Sequence, residues 1–322
     1  MKYKKLILLQ FFLSFNIIAK LSFDKVIIWG HKLHSHTHSY IHSAFFKAFN
    51  FMGYNTLWLD KEDDLKNIDF SNSLFLTEGQ ADQNIPLRED CFYILHNCNF
   101  EKYNELIKKN RCIYLQVYTL ECEERNVTKL ENGIFCNPYD RIIYMPWATD
   151  LLPEEIEKNK TVIQKIQKSK KIYFIGTIGI GNFGNQDKTD SFKKACQENG
   201  IDFEHLTNVT NEENILLTQQ SFMAPALQGE WQCEQGYIPC RIFKNISYGQ
   251  IGITNSETVY KFFNKKIVYN SNTYQLFYDA LEKLKNIQQE ELFELMDFVK
   301  NNHTYINRIN TLLNFIEWVN AI

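Results

Sequence analysis

Two short apolar runs, each closed by a glycine, constrain this chain more than any other feature. Lys25-Val-Ile-Ile-Trp-Gly30 and Lys171-Ile-Tyr-Phe-Ile-Gly176 are continuous and rich in β-branched and aromatic residues. Runs of this kind read as strands buried on both faces. A polar loop follows each, and then a helical pattern: 40–49 after the first run, 190–199 after the second. Strand, glycine turn and helix open a βαβ unit, so the repeat predicts two α/β halves in tandem. At 322 residues the chain also exceeds what one hydrophobic core usually serves.

Further apolar runs predict strands over 55–60, 73–77, 91–96, 112–118 and 141–145 in the first half. In the second half they predict strands over 201–205, 221–227 and 251–254, with a helix over 241–248 that Gly249 ends. A charged stretch at 152–171 separates the halves, so the domains are expected at 24–151 and 171–288. Residues 289–322 read as helical and are expected to cross back to the first half. The fold class expected is α/β, with two Rossmann-like, doubly wound parallel-sheet domains and a C-terminal helical segment.

Composition removes several function classes. A formal charge of −3 gives no overall electrostatic reason to expect nucleic acid as a partner. The eight cysteines include no C-x-x-C pair, which argues against a thiolate zinc site and for buried free thiols. Met1-Lys-Tyr-Lys-Lys5 before the apolar run 6–19 has the proportions of a signal peptide, so 1–20 is expected to be a signal peptide or a short anchor. An apolar first element of the fold is the alternative. The protein is exported or membrane-associated in the first case and cytoplasmic in the second. Glycosylation sequons begin at Asn126, Asn159, Asn208, Asn245 and Asn302.

Ligands of open parallel sheets bind beyond the strand C-termini, where loops and helix N-termini offer N–H groups. The second half supplies a glycine loop there: Gly176, Thr177, Gly179, Gly181 and Gly184. The most informative stretch is 230–249, a polar loop with Glu234, Gly236 and Pro239, then a helix led by Arg241 and carrying Lys244, then Gly249. Strand 251–254 and the turn Asn255-Ser256 follow. This stretch resembles the donor site of GT-B glycosyltransferases, and is most similar to the CgeB-like, spore-protein branch of that fold. Asn302-His303-Thr304-Tyr305 with Arg308, and Met145-Pro146-Trp147 with Asp150, resemble further elements of the same branch. The likeness covers roughly residues 25–315.

The resemblance implies a glycosyltransferase that moves a sugar from a nucleotide-diphosphate-sugar donor to a glycan, lipid or protein acceptor. The first domain then faces the acceptor and the second binds the donor. Gly176, Thr177, Gly179, Glu234, Gly236, Arg241, Lys244, Asn255 and Ser256 become the donor-binding set. The family's acidic residue on the donor helix is replaced here by Lys244, a departure that suits phosphate better than ribose.

The first half carries five of the eight histidines in twelve residues: His31, His34, His36, His38 and His42. Imidazoles at this density can hold a metal, act as bases or form a hydrogen-bonded cluster. Their place between a strand-ending glycine and a helix favours a loop over the cleft. His38 and His96 are the expected catalytic residues, with His34, His36, Tyr40 and Glu78 on the acceptor side. No metal and no cofactor are expected. Two alternatives stay open: a metal-dependent hydrolase built on residues 31–42, and a non-catalytic nucleotide- or sugar-binding protein of the same fold.

Overall fold

The structure, a computed structural model, describes residues 23–32, 37–122 and 127–322. The N-terminal segment 1–20, His34 and His36 lie outside them, and with them the expectations placed there.

The short apolar runs of the first half become strands β1 (Lys25–Trp29), β2 (Thr56–Leu59), β3 (Ser73–Glu78), β4 (Phe92–His96), β5 (Cys112–Gln116), β6 (Thr128–Lys129), β7 (Phe135–Asn137) and β8 (Ile142–Tyr144). They form one sheet in the order 2-1-3-4-5-8-7-6, parallel as far as β8 and antiparallel at the edge. Alternate residues serve opposite faces, as the pleat requires. Val26 and Ile28 pack under helix α1 (Thr37–Phe51), against Phe45 and Phe49. Ile27 and Trp29 meet Phe75, Tyr93 and Tyr103 on the other face, near the short helix α2 (Asn104–Lys108). Because β2 and β3 lie on either side of β1, the chain reverses its direction of travel across the sheet there. In such sheets the ligand crevice opens beyond that point.

Helix α3 (Pro153–Ile163) leads into the second half, where β9 (Lys171–Ile175) and β10 (Asp202–Leu206) pair in parallel around helix α4 (Gln186–Glu198). Helix α5 (Asn211–Gln220), α6 (Glu230–Glu234) and α7 (Cys240–Ser247) precede a second parallel pair, β11 (Ile253–Thr254) and β12 (Val268–Tyr269). Helix α8 (Glu257–Phe262) lies between these two strands, and α9 (Thr273–Asn286) covers them.

The strand expected at 221–227 does not form a ladder. The segment runs between the two pairs, donating from Phe222 N–H to Lys171 O and from Ala226 N–H to Ile253 O. Pro225 has no N–H to give, and the Ser221 hydroxyl takes the Tyr173 N–H in place of a carbonyl. The polar loop expected from Glu230 likewise begins as the short helix α6.

The C-terminal segment breaks into α10 (Gln289–Asn302) and α11 (Tyr305–Ala321), with Thr304 capping the second. Ile309, Leu312, Phe315 and Ile316 of α11 complete the core of the first half. Arg308 is fully buried and fastens the crossing: its guanidinium donates to the carbonyls of Pro146, Trp147 and Asn302 and to His303 Nδ1. The His-Thr-Tyr and Arg element is therefore a joint between the halves.

Candidate active site

A cleft of about 310 Å³ opens between the two halves, and its lining includes Tyr40, Gly176, Thr177, Asn185, Gln228 and Arg241. Among the described residues no aspartate or glutamate lines it, whereas Arg241 and Lys244 both do.

Arg241 sits in the first turn of α7, just after Pro239, whose fixed φ leads into the helix. Its guanidinium lies 4.2 Å from the centroid of the Phe174 ring, at the end of β9. Gly176 is directly beneath, and a Cβ there would fall 2.4 Å from Arg241 Nη2. Burial pulls the guanidinium below its ordinary pKa, against opposing contributions from Cys240 and Tyr237. Among the described residues no carboxylate pairs with it. A half-buried, uncompensated cation fixed by an aromatic face is a ready partner for an anion.

Lys244, one turn along, is differently placed. Its Nζ stands 3.1 Å from Asp150 Oδ2, and the Tyr248 hydroxyl donates to both oxygens of that carboxylate at 2.7 and 2.8 Å. Its charge is already matched by Asp150, so among the described residues Arg241 is the cation of the lining that has no carboxylate beside it. Burial, together with the neighbouring Asp150, raises Tyr248 well above the ordinary tyrosine pKa. Asp150 belongs to the Met145–Asp150 crossing noted in the sequence, but nothing local revealed its partner.

Three glycines of the loop have their N–H groups engaged within the protein, Gly184 through Gly181 O. Gly176 N–H donates to Leu206 O, and Gly179 N–H to Asn185 Oδ1. The glycines allow backbone to meet backbone instead: a Cβ on Gly184 would lie 2.1 Å from Gly179 O, and one on Gly229 2.0 Å from Gly184 O. Asn185, at the start of α4, brings the positive end of that helix to the cleft wall.

Four expected donor residues serve elsewhere. Glu234 is exposed and outside the cleft lining. Gly236 makes a tight turn against Thr119 of the first half, whose hydroxyl donates to its carbonyl. Asn255 holds both backbone groups of Gln228, so it shapes the wall from behind. Ser256 caps α8. Asn245 lines the cleft but is 7% exposed, with Nδ2 donating to Ala224 O, so no glycan can sit on it in the folded chain.

Across the cleft, α1 presents Thr37 and Tyr40, and the Tyr40 hydroxyl reaches the second half by donating to Val209 O. Beside them, among the described residues, four imidazoles gather at the ends of β1, β3 and β4. The His38 ring lies 5.3 Å from those of His31 and His96, and the His96 ring is 5.0 Å from that of Trp147. His31, held at φ +57 after Gly30, turns its Nε2 to 2.8 Å from Glu78 Oε2. Burial pulls the Glu78 pKa up, but the bonds from His31 and Gln80 N–H outweigh it and the carboxyl stays below its ordinary value. His42 Nδ1 bonds Gly30 O, and burial drives its pKa down to about 4.

His96 is almost wholly buried, with Nδ1 donating to Leu115 O and Nε2 accepting from Asn97 Nδ2. With both nitrogens engaged, it holds the cluster in place and cannot itself take a proton from a substrate. His38 is the expected catalytic residue that stays at the surface of the cluster, and Glu78, expected on the acceptor side, is buried behind it.

No protein-family model matches the chain, and no curated protein matches its sequence. Among solved structures, it is similar to an α-glucosyltransferase in complex with UDP and a 13-mer DNA containing an HMU base, with 12% identity over 89% of this chain and 99% of that one and a TM-score of 0.52. The α-glucosyltransferase with UDP and a 13-mer DNA containing a central A:G mismatch gives 12%, 89%, 99% and 0.51. A UDP-forming trehalose-phosphate synthase from Burkholderia xenovorans gives 9%, 93%, 100% and 0.49. The chain has the GT-B fold, at an identity that speaks for architecture alone.

Proposed function

We propose that this chain transfers a sugar from a nucleotide-diphosphate-sugar donor to a hydroxyl acceptor. The observation that carries the reading is the Arg241 guanidinium, without a carboxylate partner in a cleft that no acidic side chain lines among the described residues. As the bond from the anomeric carbon to the diphosphate oxygen breaks, its electron pair leaves on the diphosphate. Arg241 and the N-terminus of α4 meet that charge, so no metal is needed at the diphosphate. The acceptor oxygen forms the new bond to the same carbon, and its proton passes to the imidazole cluster beside Tyr40, with His38 as the receiving group. A glycan, lipid or protein can supply that hydroxyl. DNA belongs to the similar structures, and the charge of −3 gives this chain no general pull toward it. The CgeB-like branch rests on the sequence resemblance.

A second reading, a non-catalytic nucleotide-binding protein, is favoured by one observation: among the described residues neither Glu234 nor any other carboxylate lines the cleft to hold ribose hydroxyls. Thermal-shift titration with UDP, GDP and their sugars, in EDTA, followed by turnover, without chelator, of the sugar of the nucleotide that binds, tests both. Nucleotide stabilisation that survives EDTA, with sugar released or transferred, supports the transferase. Stabilisation without turnover supports the binding protein, and no stabilisation by any nucleotide removes both readings.

A further inference from the structure

We infer that His31, His38 and Glu78 form a binding site for a single divalent transition ion, zinc by its ligand chemistry. The three residues come from the turn after β1, the first turn of α1 and the end of β3, and their ligating atoms lie within 4.8 Å of one another. A tetrahedral zinc with bonds of about 2.0–2.1 Å holds its ligands about 3.3 Å apart, so the set must contract by about 1.5 Å at most. His31 and Glu78 already approach to 2.8 Å. Side-chain rotation can cover what remains.

The donor set selects the ion. Two imidazoles and a carboxylate suit zinc and its first-row neighbours, whereas magnesium and calcium take oxygen ligands. Three ligands among the described residues leave a fourth tetrahedral position that water or a substrate hydroxyl can take. The surroundings are those of a held site. Gln80 N–H donates to Glu78 Oε2 at 2.9 Å and fixes the carboxylate. His42, bonded to Gly30 O, has its ring 5.2 Å from that of His31, and Trp147 and His96 stand behind His38. Such supports orient ligands and raise affinity. The left-handed His31, a conformation that costs a non-glycine residue free energy, is explained by the need to point its ring at Glu78.

The position adds a functional argument. Residue 31 follows β1 and residue 78 ends β3, the two strands that flank the crevice of this sheet. An ion there would stand on the acceptor wall and not at Arg241. It would lower the pKa of a bound water or hydroxyl, and His38, then a ligand, would not itself receive the acceptor's proton. The inference concerns the ion alone and does not depend on the donor reading.

The test uses protein prepared without a polyhistidine tag and stripped with a chelator. Zn²⁺ is titrated against a chromophoric competitor, and Co²⁺ substitution reports coordination number by its visible absorption. One equivalent with a four-coordinate cobalt spectrum is expected, weakened roughly 100-fold in each of His31→Ala, His38→Ala and Glu78→Gln. Circular dichroism, and UDP thermal shift where UDP binds the parent, establish that each variant is folded. No zinc uptake by the parent overturns the inference, and so does uptake unchanged in all three folded variants, which would place any ion on other histidines. Loss of UDP binding alone bears only on the donor reading.

Discussion

At the scale of single residues, Arg241 and Gly176 act as a pair. Arg241→Ala should leave the protein folded and lower turnover about 30- to 1,000-fold, equivalent to roughly 2–4 kcal/mol of transition-state stabilisation. Arg241→Lys keeps the charge but loses the planar fork, and should restore only part of the rate. A near-normal rate in Arg241→Ala would remove the diphosphate site. Gly176→Ala should act through the same guanidinium, because its φ is +123 and the new methyl would meet Nη2 at 2.4 Å. We expect about 1–3 kcal/mol of destabilisation in denaturant titration, together with weaker nucleotide binding. His42 sets a pH dependence. Its folded pKa, about 4, lies below the ordinary histidine value of 6.5, so the unfolded chain binds the proton first. The stability this neutral imidazole contributes is fully present above pH 6.5 and is lost as pH falls toward 4, by up to about 3 kcal/mol. Urea titrations of parent and His42→Leu between pH 7 and 4 should show a shallower loss in the variant; equal slopes would contradict the assignment.

At the scale of elements, most parallel strands of the first half, and β9, were legible because each is a short apolar run with no rival helical period, whereas β10 is largely polar and the two-residue β12 was not read. Helix α7 was legible from its cap and its closing glycine, and α1 from its apolar spacing. Helix α5 escaped because its sequence, Asn211–Gln220, is largely polar, and α9 because no unambiguous stop separated it from its surroundings. At the site, residue types were readable and partners were not. His31 and Glu78 were both singled out, yet their contact depends on the order of β1 and β3 in the sheet. The same holds for Lys244, whose carboxylate comes from the far side of the interdomain crossing. Arg308 belongs to this scale too. Removing its side chain leaves three backbone carbonyls without their donor, so Arg308→Ala should cost roughly 3–5 kcal/mol. Hydrogen exchange should show α11 losing protection first. Uniform loss across both halves would argue against the joint.

At the scale of the whole molecule, the two halves are tied across the cleft by Tyr40 to Val209, by Thr149 to Ser247 and by Lys244 and Tyr248 to Asp150. The last two ties sit on α7, the helix that carries Arg241, so the cation is aligned by the first half although it belongs to the second. Asn245 lies on the same helix, buried and bonded to Ala224 O, and Asn159, also buried, donates to Ser247 O. Both begin sequons. In a secretory pathway that glycosylates, modification of the nascent chain therefore races against folding: a sugar attached to either asparagine before the two halves close would bar the native state for good. Output from such a host should be limited by that race, and Asn→Gln changes at 159 and 245 should raise secreted yield there while leaving yield unchanged in a host without the modification.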